Sequence, residues 1–177
     1  WKPQNYDGST GGLTTFREGL RKSFNLISVR MVQQDIAPAE QVKQMAKRMG
    51  INSDIRAVDA IALGTSEVYP IEIVSAYAAL ANQGVYSKPF GITRVEDRYG
   101  NVIKDYYPDR KEVLSEETAY LMTSLMQTVM DRGTGGSARW KYKFNRPAAG
   151  KTGTTQGWSD AWFVGFTPQI AAGCWFG

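Results

Sequence analysis

The chain has 177 residues, 42% of them hydrophobic and 21% charged, with a net charge of +4; that is enough for one domain with a core of its own. It contains no histidine and a single cysteine, Cys174, which excludes a Ser-His-Asp triad, a His-ligated metal, a Cys-rich zinc site and an internal disulfide built from this chain alone. The basic residues are scattered rather than gathered in a stripe, against a nucleic-acid surface, and no run approaches the roughly 18 apolar residues of a bilayer span.

Residues 1–12 are rich in Gly, Ser, Asn and Pro and read as loop. Thr15 followed by Glu18 fits a capping box and predicts a short helix to about Lys22. Ser23-Phe24-Asn25 interrupts it, and Leu26, Val29 and Val32 restart an apolar face at helical spacing. Pro38 suits the first turn of the next helix and Gly50 its stop. Pro70 opens another, ending near Gly84, with Ile71, Val74, Ala78 and Ala81 expected inward.

The period then changes. Ile92, Val95, Val102 and Ile103 flank Tyr99-Gly100-Asn101, a hairpin signature. Ser115 caps a long amphipathic helix with Met122, Leu125, Met126, Val129 and Met130 as core, and Gly133-Thr134-Gly135-Gly136 ends it. Lys141, Lys143 and Arg146 alternate with aromatics in the manner of a solvated strand edge. Strands are expected at roughly 147–155, 160–167 and 170–176, joined by turns at Gln156-Gly157 and Thr167-Pro168-Gln169. Cys174 reads as a small buried apolar residue of the last strand. Helices first and an antiparallel meander last argue for an α+β fold, helices packed on an antiparallel sheet.

Chemistry concentrates at two places. Lys151-Thr152-Gly153-Thr154-Thr155 sets a cation and hydroxyls on a strand with a glycine inside it. Glycine in a strand often marks close backbone approach by a ligand, and a fixed cation beside hydroxyl donors suits a carboxylate. Ser23 and Asn25 supply a hydroxyl able to relay a proton and an amide able to hold a peptide group. Asp160 reads as a strand-cap aspartate. Glu116 and Glu117, in the first turn of a helix, complement its dipole.

Ser23-Phe24-Asn25 together with Lys151-Thr152-Gly153 resemble two of the three motifs of the penicillin-recognising serine enzymes. The resemblance runs along nearly the whole chain. Asn5-Tyr6 with Thr14 to Val29, Leu63-Gly64 with Glu67-Val68-Tyr69-Pro70, Ala76-Tyr77-Ala78, Ala81-Asn82-Gln83-Gly84, Gly133-Thr134-Gly135 with Ala138, and Asp160 to Pro168 are similar to signature segments of the transpeptidase domain of class A, bifunctional penicillin-binding proteins. The resemblance implies a partial penicillin-binding transpeptidase (β-lactamase-like) fold and a serine-type D-Ala-D-Ala transpeptidase/carboxypeptidase activity that cross-links peptidoglycan. It implies stem peptides and β-lactams as partners, no nucleic acid, and neither cofactor nor metal. The implied place is the extracytoplasmic face of the bacterial inner membrane, reached through an N-terminal anchor.

By the same resemblance Ser23 relays a proton to the leaving amine, Asn25 holds the donor's amide, and Lys151 strengthens the field. Thr152, Gly153, Thr154 and Thr155 form the substrate-binding strand, with Thr152 and Thr154 on the terminal carboxylate and the Thr154 N–H as half of an oxyanion hole. The third motif, Ser-x-x-Lys, carries the nucleophile, and no serine here has a lysine three positions later. The expectation is therefore that residues 1–177 are the C-terminal part of one transpeptidase domain. The nucleophile segment, with strands beside the Lys-Thr-Gly strand, would lie before Trp1 and a closing helix after Gly177, so these residues alone would be inactive. A serine β-lactamase, a penicillin-sensing receptor and a non-catalytic binding fragment are the alternatives. The long spacing from Ser23 to Lys151, the extra hairpin and the lack of a placed deacylating glutamate argue against the first.

Overall fold

A computed structural model of the chain describes residues 1–10, 12–155, 157 and 159–177. Helix α1 (Phe16–Lys22) starts where Thr15 Oγ1 accepts the Glu18 N–H at 3.2 Å. The box is half made, because Glu18 turns its carboxylate to Arg21 instead. Helix α2 (Asn25–Gln33) follows after two residues, and α3 (Ala39–Arg48) begins behind Pro38, which sits at the N-cap. A 3₁₀ turn (Asp59–Leu63) leads to α4 (Pro70–Ala81).

Helix α4 corrects one expectation. Ile71 is 59% exposed, while Ser75, Ala76, Ala79 and Leu80 are the buried positions; Val74, Ala78 and Ala81 are half-buried. The helix is apolar nearly all round, so periodicity does not single out a face. Neighbours decide it: α4 contacts the sheet, α5 and β1, and its small residues allow that many close approaches. Gly173 of the sheet serves the same end, since a Cβ there would come 2.6 Å from Val74 Cγ2.

Between α4 and the next long helix the chain makes an excursion. Strand β1 (Val85–Ser87) pairs antiparallel with β4 (Arg110–Glu112), and the expected hairpin, β2 (Arg94–Glu96) with β3 (Val102–Asp105), projects between them. Asp97 organises its turn by accepting the Tyr99 and Asn101 N–H groups at 2.8 and 2.9 Å. The β1–β4 pair was not anticipated from sequence.

Helix α5 (Glu116–Arg132) is capped by Ser115, whose Oγ accepts the Thr118 N–H at 3.3 Å. Met126, Val129 and Met130 are buried, whereas Met122 and Leu125 are half-buried. A short helix, α6 (Ser137–Trp140), precedes the sheet. The stretch holding Lys141, Lys143 and Arg146 is irregular rather than strand. Arg139 braces it from within, donating to the Phe144 and Arg146 carbonyls at 2.7 and 2.5 Å and pairing with Asp131.

Strands β5 (Ala149–Thr154), β6 (Ala161–Phe166) and β7 (Ala171–Phe176) form the antiparallel meander β5-β6-β7. Of the turn expected between the first two, Gln156 lies outside the described residues, as does Gly11 of the opening loop. Cys174 is exposed, contrary to expectation, because β7 presents nearly its whole length to solvent. Helices α4 and α5 cover the opposite side of the sheet. Leu80, Ala119, Met126, Ala149 and Phe166 form the core there, and a second cluster of Ile51, Ile55 and Ala76 lies toward α3. Among the described residues no helix is long and apolar enough to cross a membrane.

Candidate active site

Three chain segments meet at one point. The first is the α1–α2 junction, a helix stop whose left-handed position is normally glycine. Ser23 occupies it, at φ 57° and ψ 45°. The Ser23 N–H donates to the Leu20 carbonyl at 3.1 Å and the Phe24 N–H to the Gly19 carbonyl at 2.9 Å, closing α1 by the reciprocal pattern of a Schellman motif. A serine held in this sparsely populated region stores strain that surrounding bonds must offset.

The second segment is the α5–α6 turn, welded to the end of α1. Arg21 donates to the Arg132 carbonyl at 2.5 Å, and the Thr134 N–H donates back to the Arg21 carbonyl at 3.2 Å. Gly133 permits this approach, since a Cβ there would lie 2.5 Å from the Arg21 carbonyl oxygen. Farther up α1, Arg17 donates to the Ser124 carbonyl and Thr128 Oγ1, both at 2.8 Å, and to Ser124 Oγ at 3.1 Å.

The third is β5. Lys151 Nζ donates to Ser23 Oγ at 2.7 Å and to the Thr152 carbonyl at 2.9 Å. Thr152 Oγ1 lies 2.7 Å from Thr134 Oγ1. Loss of water around the ammonium lowers the Lys151 pKa from its ordinary 10.5 to about 8. Two acceptors fix the charged form in place. With its oxygen occupied by the ammonium, the Ser23 hydroxyl must direct its own hydrogen elsewhere, the arrangement a proton relay uses.

The other named residues are placed less directly. Asn25 is half-buried, and its Nδ2 donates to the Gln4 carbonyl at 2.8 Å. Buried Asn5 secures the same strap: its Oδ1 accepts the Leu26 N–H at 3.1 Å and its Nδ2 donates to the Ser9 carbonyl at 2.9 Å. Gly153 and Thr154 continue β5 opposite Trp162 and Ala161, with Thr154 exposed. Thr155 is committed to the turn: its Oγ1 accepts the Asp160 N–H at 2.9 Å and donates to Asp160 Oδ2 at 3.1 Å. Asp160 is pulled below its ordinary pKa chiefly by the indole N–H of Trp175, then by Thr155, as befits a structural cap. Thr134 and Arg21 were given no role from sequence. The Gly-Thr-Gly run was the available signal, but its partner lies 18 residues away on another element.

Comparison with known proteins gives a consistent result. The penicillin binding protein transpeptidase domain matches residues 1–175. Penicillin-binding protein 1A of Aquifex aeolicus is 37% identical over 177 residues, all of this chain and 24% of that protein. Penicillin-binding protein 2D of Bacillus subtilis is 34% identical over 183 residues, again all of this chain and 26% of its own length. The chain thus spans about a quarter of the length of these relatives. Among solved structures, penicillin-binding protein 1A from Haemophilus influenzae superposes with a TM-score of 0.86 at 25% identity, covering 94% of this chain and 30% of that one. PonA1 from Mycobacterium tuberculosis, in complex with penicillin V, superposes with a TM-score of 0.81 at 27% identity, covering 97% of this chain and 50% of that one. The α+β architecture, the convergence of Ser23 with Lys151 and the match over residues 1–175 agree, and the chain belongs to the penicillin-binding protein transpeptidase domain family.

Proposed function

We propose that this chain is the C-terminal part of the transpeptidase domain of a class A penicillin-binding protein, which cross-links D-Ala-D-Ala stem peptides by serine acyl transfer. The observation that carries the reading is the 2.7 Å bond from Lys151 Nζ to Ser23 Oγ. In this reading a serine of a Ser-x-x-Lys motif elsewhere in the longer protein attacks the penultimate D-alanine carbonyl. The tetrahedral intermediate collapses by breaking the C–N bond, and Ser23 passes a proton to the departing D-alanine amine. An amine of a neighbouring stem then attacks the ester and releases the serine. Lys151 holds the relay in place and lends its charge to the bound carboxylate and the developing oxyanion. Thr152 and Thr154 donate to the carboxylate, Asn25 holds the donor's amide, and the Thr154 N–H stabilises the oxyanion. Thr155 supports β5 by fixing its turn.

The longer protein is proposed to carry a glycosyltransferase domain and a membrane anchor, and to act at the outer face of the inner membrane. Labelled penicillin tests the reading. The 177-residue chain alone should form no covalent adduct, and the full-length protein should form one on a serine outside these residues. A penicilloyl group found by mass spectrometry on Ser23, or on any serine of this chain, would overturn it.

A further inference from the structure

Next to the Ser23–Lys151 bond lies a concavity of about 390 Å³, walled chiefly by Tyr6, Arg21, Lys22, Phe24, Arg132 and Thr134. It adjoins the segments that form the site: Lys22 and Phe24 flank Ser23 in sequence, and Thr134 is hydrogen-bonded to Thr152. We propose that this concavity binds a second carboxylate of the substrate, distinct from the C-terminal one assigned to Thr152 and Thr154. The inference rests on the transpeptidase reading and names a further feature of the peptide that the site selects.

The charges around it are unequal. Arg21 is spent on structure, chelated by Glu18 at 2.7 and 2.5 Å while it holds the Arg132 carbonyl. Lys22 is ion-paired with the same Glu18 at 3.4 Å and lies 5.4 Å from the centre of the Phe24 ring, with its side chain about half exposed. Arg132 makes no ion pair among the described residues. Asp7 also faces the concavity; its carboxylate, held below its ordinary pKa chiefly by Ser9, stays negative beside Lys22 and narrows the positive part of the wall to the Arg132 side. Arg132 is thus the cation of the wall without a carboxylate partner among the described residues, and Lys22 is shared with Glu18.

The geometry favours a carboxylate. A guanidinium matches a planar two-oxygen acceptor, and charge-assisted bonds of this kind are the strong ones. The Thr134–Thr152 hydroxyl pair consumes one of its two hydrogens between the oxygens, and the other goes to the terminal carboxylate, so the new contact falls to Arg132. The walls are fixed in advance, since the bonds between Arg21, Arg132 and Thr134 hold the ends of α1 and α5 together, so little ordering is required on binding. Terminal and side-chain carboxylates share this chemistry, and substrate variants separate them.

The test uses the full-length protein, benzylpenicillin, and two synthetic peptides that share a D-Ala-D-Ala end. One peptide carries an acidic side chain upstream, and the other has that carboxylate amidated. The wild type should show a KM for the acidic peptide about tenfold below that for the amidated one, as expected for one charge-assisted contact. The preference should shrink as salt rises, because the cations are exposed. Arg132→Ala should erase the preference through KM, Lys22→Ala should weaken it, and Arg132→Lys should restore part of it. Arg98→Ala, in the distant hairpin, is the control. Equal KM values for the two peptides in the wild type overturn the inference while normal penicillin acylation leaves the transpeptidase reading standing. Losses in Arg132→Ala that fall as heavily on penicillin as on the acidic peptide also overturn it, since they would assign the concavity to the terminal carboxylate. A wild type that penicillin does not acylate overturns the transpeptidase reading, and this inference with it.

Discussion

Lys151 Nζ touches Ser23 Oγ at 2.7 Å across 128 positions of sequence. If the pair acts together, neither half works alone. In the full-length protein Lys151→Ala should slow acylation by benzylpenicillin on the order of 10²–10³-fold, the usual loss when one electrostatic stabiliser is removed. Ser23→Ala should give a comparable loss, and the double variant should be little worse than either single one. Stopped-flow acylation rates check this, and losses that multiply would show two independent residues.

The Lys151 ammonium should titrate near pH 8 instead of 10.5. Its charge is intact below about 8 and is lost above, so acylation should fall on an alkaline limb centred there. Stability responds in the opposite direction. Between 8 and 10.5 the unfolded chain holds more protons than the folded one, so the cost of burying this ammonium is full below 8 and is relieved as pH rises through that window. Lysine-selective NMR of the chain reads the titration directly, and a midpoint above 10 would sink the prediction.

Strain and function separate at Ser23. Glycine is at ease at φ 57°, where serine is not. Ser23→Gly should leave thermal stability within about 1 kcal/mol of wild type, the relief of strain being set against added freedom of the unfolded chain. It should lose acylation as completely as Ser23→Ala. A large drop in Tm would show that the hydroxyl is needed for folding.

Gly150 and Gly165 face each other in the sheet, and the Phe163 ring lies across both. A Cβ on either would approach that ring to 2.9 Å. Gly150→Ala should therefore cost about 1–3 kcal/mol by overpacking, and Phe163→Leu in the same chain should recover part of it. Denaturant titration of the four members of the cycle gives the coupling; additive costs would mean that the ring does not limit the site.

Arg17 holds α1 on α5 through three donated bonds. Arg17→Ala should destabilise by about 1.5–3 kcal/mol, since it removes charge-assisted bonds and strips a partner from buried Thr128. It should also slow acylation, because α1 ends on Ser23. Arg17→Lys should recover little, lacking the fork that reaches all three acceptors. Retention of full activity in Arg17→Ala would show that α1 is held in register by other contacts.

Much of this was legible in the chain, because the signals were local. Thr15 and Ser115 mark their helices by caps that act within three residues, and the short runs after Pro147, set apart by turn residues such as Thr167-Pro168-Gln169, mark the meander. The misreadings arose where partners are distant. Arg110-Lys111-Glu112 looks nothing like a strand until Val85-Tyr86-Ser87 is brought beside it. The buried face of α4 was out of phase because an all-apolar helix takes its orientation from its neighbours. Cys174 was expected in the core because its run is apolar, yet it sits on a strand open to solvent. At the site, Ser23 and Lys151 could be named from the resemblance of their tripeptides to family motifs. The hydroxyl bridge from Thr134 to Thr152 could not, because a threonine in a glycine-rich turn carries no mark of what it will meet.

The β1–β4 pair has a consequence for engineering. Its two strands close the base of the excursion, so the polypeptide between Lys88 and Asp109 is tied off before it leaves the body of the fold. Chain added at the exposed Tyr99-Gly100-Asn101 tip enlarges a loop whose ends are already joined, and the entropic cost grows only with the logarithm of its length. A reporter protein or an affinity tag could be grafted there with the Ser23–Lys151 contact undisturbed, giving a handle for following the protein in living cells.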